Sequence, residues 1–155
     1  MTYIDDKLTF LQHVAETIKA CSQSFFALRT MKQHGMPTKS LQLIFISKII
    51  SKLTYASPAW WGFLNESSKN QLEAVLRRAK KFGYYDENGV NLVEYINKLE
   101  ITLFRSIVEN DGHILRQLLP PHKQTAYNTR KRGHNFALPK KDNRNFINRA
   151  LYTYL

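Results

Sequence analysis

The chain begins "MTYIDDKLTF", and Tyr3-Ile4-Asp5-Asp6 places two adjacent carboxylates behind an aromatic residue. Such a pair can supply part of the donor set for two-metal phosphoryl transfer, in which two cations clamp the attacking and leaving oxygens. A third carboxylate must then converge from another part of the fold. Only Met1 and Thr2 precede Tyr3, acids are sparse downstream, and no second Asp pair appears. We therefore expect no catalytic cluster here. Asp5 and Asp6 fit better just before a helix start, where the helix dipole favours negative charge and Thr9 with Gln12 has the spacing of a capping box. His13, His34, His113, His122 and His134 show no metal-ligand spacing, and Cys21 is the single cysteine. No Gly-rich phosphate loop or nucleophile elbow is present. The expectation is a chain that is not itself an enzyme and holds no metal or cofactor.

Cations carry the stronger signal. The net charge is +11, and it is uneven. Residues 1–70 hold eight Lys/Arg against four acids, residues 71–115 six against seven, and residues 116–155 nine against Asp142 alone. A concentrated basic segment attracts polyanions, nucleic acid first among them. In "NTRKRGHNFALPKKDNRNF", Arg130, Lys131, Arg132, Lys140, Lys141 and Arg144 alternate with Phe136 and Phe146, and Tyr127 stands just ahead. That interleaving suits phosphate contact with base stacking, or a nuclear import signal. Tyr55, Trp60, Trp61 and Phe63 either close a core corner or offer a stacking platform; Trp61 is the candidate for the exposed role.

The elements that must position these groups read as helices. Phe10, Val14, Ile18, Cys21, Phe25 and Leu28 recur at steps of three and four, and Gly35 is placed to end the helix. Across residues 41–53 the apolar residues Leu43, Ile44, Phe45, Ile46, Ile49 and Ile50 cover most of a circumference, which predicts a central helix packed on more than one side. Pro58 stops it near Ala56. A third helix is expected from Ser67 or Ser68, capped by Ser68 with Gln71, burying Leu72, Val75, Leu76 and Ala79 and pairing Glu73 with Arg77. Residues 83–89 read as a loop, residues 92–108 as a fourth helix, residues 114–119 as a short one ending at Pro120-Pro121, and residues 146–155 as the last. The predicted fold is all-α: an antiparallel helical bundle over residues 1–119, then a basic, partly irregular extension over residues 120–155. Lys48 and Lys52 break the longest apolar stretch, so no membrane span is expected. One cysteine and no basic-then-apolar leader point to a reducing, intracellular setting, nuclear or cytoplasmic.

Seven strings in order carry a resemblance: "IDDKLTFLQH", "GMPTKSLQLIF", "LTYASPAWWGFL", "QLEAVLRRAKKF", "DGHILRQLLPP", "YNTRKRGHNFALP" and "RNFINRALYTYL". Together they resemble the C-terminal region of jockey-like non-LTR retrotransposon reverse transcriptases. The resemblance spans nearly the whole chain. It implies that Ile4-Asp5 belongs to a stretch following the polymerase palm, so that Tyr3-Ile4-Asp5-Asp6 is not the family's catalytic Tyr-x-Asp-Asp box. Met1-Thr2 stands where a Leu-Gly lead is expected, and the connection between Gly83 and Thr102 is shorter than the family pattern. The implied role is a thumb gripping a template–primer duplex, with Arg77, Lys80 and Lys81 presented by the bundle and Arg130 to Arg132, Lys140, Lys141 and Arg144 by the tail. The implied partner is RNA, DNA or their hybrid, together with a palm domain of the same element. The alternatives are a helical adaptor whose basic tail meets an acidic protein, and a decayed fragment without activity.

Overall fold

The computed structural model describes residue 4, residues 6–123 and residues 134–153. The chain forms two compact units, residues 1–96 and residues 97–155. Among the described residues there is no β-strand, only an isolated antiparallel bridge between His122 and Phe136.

In the first unit, α1 (Leu11–Gln33) buries Val14, Cys21, Phe25 and Leu28, as the three-and-four spacing requires, with His13 and Thr17 beside them and Phe10 just ahead. Its start differs from expectation. Phe10, not Thr9, is the cap residue, in the left-handed conformation at φ 55°. That backbone costs an L-residue roughly 1–2 kcal/mol; burial of the Phe10 ring, 5.7 Å from that of Phe63, offsets it. At the far end Gly35 takes φ 84°, and the N–H groups of Gly35 and Met36 bond back to the carbonyls of Lys32 and Met31. This is a Schellman stop, which glycine enters without a Cβ penalty.

The second helical stretch runs as α2 (Thr38–Ile44), a wide π turn (Phe45–Ile50) and α3 (Ser51–Thr54). Leu41, Phe45, Ile49, Ile50 and Leu53 are buried, whereas Leu43 and Ile46 are 68% and 41% exposed. The expectation of packing on several sides is thus corrected: one face is inward, and the π turn widens it by bringing adjacent Ile49 and Ile50 to the same side. Ala56, at φ 52°, turns the chain into α4 (Ser57–Trp60) and a 3-10 turn (Trp61–Phe63). Trp60 is fully enclosed and its indole N–H donates to the Tyr55 carbonyl at 2.9 Å.

Helix α5 (Glu66–Phe82) begins before the expected Ser67 or Ser68. Asn65 is its cap, accepting the Ser68 N–H at 2.8 Å, and Ser68 is buried inside the first turn. Leu72, Val75, Leu76 and Ala79 form the buried face. Gly83 at φ 77° closes a second Schellman stop, with Tyr84 N–H on the Ala79 carbonyl. The expected Glu73–Arg77 pair is absent: Glu73 Oε2 instead accepts the Leu92 N–H at 2.9 Å. That bond caps the start of α6 (Leu92–Glu109), where Asn91 Oδ1 also accepts the Glu94 N–H at 2.8 Å and the Asn91 side-chain amide donates to Glu94 Oε1 at 3.2 Å.

The second unit has its own core of Phe104, Ile107, Phe136, Ile147, Ala150 and Leu151. A 3-10 turn (Ile114–Leu118) and α7 (Phe146–Thr153) belong to it. The two units meet at Ile96/Asn97, and within the second one side chains from beyond residue 120 pack on those of α6. Arg149 makes a two-point ion pair with Glu100, of which Glu100 is 3% exposed, and also donates to the Asn143 carbonyl at 2.8 Å. His134 accepts the Phe136 N–H on Nδ1, which leaves Nε2–H to donate to the Leu151 carbonyl at 2.9 Å.

Candidate nucleic-acid interface

Helix α5 is held by its buried face, so its outer side presents cations. Arg77 and Lys81, one turn apart, are exposed. Arg77 has one long bond, 3.5 Å to the Asn70 carbonyl, and neither residue has a carboxylate partner. Lys80 behaves differently. Its ammonium is drawn to the loop after α5, donating to the carbonyls of Glu87 at 3.0 Å and Gly89 at 2.6 Å, and lies 5.7 Å from the Tyr85 ring centre. Lys80 is thus a clamp on residues 83–91. Tyr85 completes that loop: its hydroxyl donates to the Val90 carbonyl at 3.1 Å, and burial raises its pKa above the ordinary tyrosine value. A Cβ on Gly89 would sit 2.7 Å from the Tyr85 ring, so the clamp closes only over glycine.

Trp61 does not take the role expected of it. It is 7% exposed, edge-on to Trp60 at 6.0 Å, with the Lys69 ammonium 5.7 Å from its ring centre. Burial leaves it no open face for a base; the exposed aromatic at this corner is Tyr55, at 61%. In the second unit Lys140, Lys141 and Arg144 are exposed, and Lys141 lies 5.9 Å from the Tyr152 ring centre. Phe136, read as one of the interleaved aromatics, is in the core, stacked on His122 at 4.5 Å. Arg130, Lys131 and Arg132, like Tyr3, Asp5 and Tyr127, lie outside the described residues.

Sequence reasoning missed a second cationic constellation. Arg29 and Lys32 on α1 meet Arg78 on α5 along an open groove of about 630 Å³. Arg78 stacks over Phe25 at 5.0 Å and Phe82 at 5.8 Å, Lys32 donates to the Phe82 carbonyl at 3.3 Å, and Arg29 has no ion pair. No carboxylate lines the groove. Phe26 and Phe82 stand 74% and 44% exposed there. One signal was available: Ser22, Phe26, Arg29 and Gln33 recur at steps of four, three and four, a stripe with a large aromatic off the apolar face.

Two buried groups are chemically quiet. Burial pushes the Cys21 thiol up to about 11, against a smaller downward pull from Lys52, which removes the reactive thiolate at neutral pH. His13 packs edge-on to Trp60 at 5.0 Å with neither ring nitrogen hydrogen-bonded, and burial lowers its pKa. Among the described residues, no three His, Cys, Asp or Glu side chains converge as metal ligands. Nor is any helix there long and apolar enough to cross a membrane. No protein-family model, curated protein or solved structure matches the chain.

Proposed function

We propose that this chain is a non-catalytic nucleic-acid-binding module that grips RNA, DNA or their hybrid mainly through phosphates. In this reading it is the thumb and C-terminal part of a retrotransposon reverse transcriptase, an antiparallel bundle with a basic tail, and bond-making belongs to a palm outside this sequence. One observation carries the reading: five exposed cations have no carboxylate partner. Among the described residues the ion pairs are Lys69–Glu66, Arg116–Asp111 and Arg149–Glu100, which leaves Arg77, Lys81, Lys140, Lys141 and Arg144 facing solvent without a carboxylate. The seven strings of the resemblance supply the remaining support. An A-form-like hybrid offers a wide, shallow minor groove, so shape and phosphate contacts would dominate over sequence readout.

Titration of the full chain against a primer–template hybrid tests this. If about five phosphates are neutralised, affinity drops roughly 500-fold between 50 and 200 mM salt, from a slope near −0.9 per contact. Affinity that ignores salt would sink the reading. A second reading, a helical protein-interaction module, is favoured by the exposed Leu43 and Ile46 on the second helical stretch. A chain that binds no nucleic acid at 50 mM salt moves the conclusion there.

A further inference from the structure

Helices α1 and α5 enclose a groove that combines cations and open aromatic rings without a carboxylate, and its chemistry is narrower than general phosphate attraction. We propose that this groove binds one unstacked nucleotide of a single strand: the base lies against Phe26 and Phe82, and the flanking phosphates meet Arg29 and Lys32. The inference rests on the reading of the chain as a nucleic-acid binder and places a single-strand subsite apart from Arg77 and Lys81.

Four features select this occupant. The volume of about 630 Å³ lies within the roughly 300–1,000 Å³ of small-ligand sites. Phe26, at 74% exposure, is an apolar ring that the core does not use, and stacking is sequence-tolerant because every base has a π face. Arg78 already sits over the Phe25 and Phe82 rings, so a base arriving at Phe82 joins a cation–aromatic stack in place. Finally, the polar atoms suit phosphate better than peptide. The walls are helices whose interior backbone groups are already bonded, and Ser22 donates its hydroxyl to the Ile18 carbonyl at 3.0 Å. A peptide would find few main-chain partners, whereas phosphate needs only the guanidinium and ammonium groups. Duplex bases are stacked on one another and cannot present their faces, so the ligand is an unpaired strand or overhang.

The test uses the full chain and three fluorescent ligands of equal length: a single strand of thymidines, the same backbone with abasic sites, and a primer–template hybrid. Phe26→Ala, at an exposed position, should leave the thermal midpoint unchanged and weaken thymidine-strand binding about 5- to 160-fold, the range for one stacked base. Phe26→Trp should retain that affinity. The abasic strand should bind more weakly and be indifferent to Phe26. Arg29→Ala with Lys32→Ala should weaken both strands. If Phe26→Ala binds the thymidine strand like the parent chain, the groove proposal fails; if the hybrid still binds with steep salt dependence, the broader reading survives that failure. Binding of none of the three ligands removes both. A Phe26-dependent affinity for a Glu- and Trp-rich peptide, with none for the thymidine strand, would overturn the nucleotide in favour of an acidic protein partner.

Discussion

At the residue scale, His13 gives the first unit a definable response to acid. Its ring is enclosed beside Trp60 with both nitrogens unpaired, and its folded pKa lies below the ordinary 6.5. Above about pH 6.5 the ring is neutral in both folded and unfolded chains and adds no pH dependence. Below it the unfolded chain takes up a proton that the folded ring refuses. Stability then falls by up to about 1.4 kcal/mol per pH unit until the folded ring titrates. Urea titrations from pH 7 to pH 5 should show that loss, and His13→Leu should flatten it. Spacing along the chain gave His13 no metal-ligand partner. It could not reveal that Trp60, far along the chain, would pack edge-on with its ring. Trp61 marks the same limit, since it was expected to be the exposed one of the pair and the turn at Ala56 leaves both buried.

At the element scale, local chemistry was the more legible part. Gly35 and Gly83 end their helices where the pattern stops, because a Schellman motif needs only a left-handed residue at one place. Competing local signals were harder to resolve. Asn65 and Ser68 can both cap, and burial of Ser68 decided for Asn65. Long-range bonds stayed hidden: Glu73 has the spacing of a surface pair with Arg77, yet its carboxylate holds the Leu92 N–H. The two assignments predict different energetics. Glu73→Ala should cost about 1 kcal/mol, the usual loss for a helix cap with its dipole contribution. Arg77→Ala should stay within about 0.5 kcal/mol, as a surface change does. Urea unfolding of both variants checks the difference, and equal losses would restore the surface pair.

At the scale of the whole molecule, the all-α class followed from helical periodicity, but the core of the second unit did not. Residues 120–145 read as irregular because their apolar residues are too far apart to show a period. Phe136, Ile147, Ala150 and Leu151 nevertheless build a core with Phe104 and Ile107. Polar contacts reinforce it. Glu100 is 3% exposed and faces the Arg149 guanidinium, itself largely shielded. Removing one member of such a pair strands the other charge, and Glu100→Ala should destabilise residues 97–155 by about 3–5 kcal/mol. Hydrogen exchange should report this as lost protection at the Phe136 and Leu151 amides; unchanged protection there would mean that the pair contributes little.

The π turn at Phe45–Ile50 bears on how this chain tolerates changes in its own length. A five-residue hydrogen-bond step accommodates one residue more than a four-residue step over the same rise. Loss of a single codon at Ser47, an exposed position, would let that stretch rewind to ordinary α geometry with Leu41 and Leu53 still pointing inward. A deletion that would rotate half of any regular helix out of register becomes, at this one turn, a change the backbone can take up by tightening.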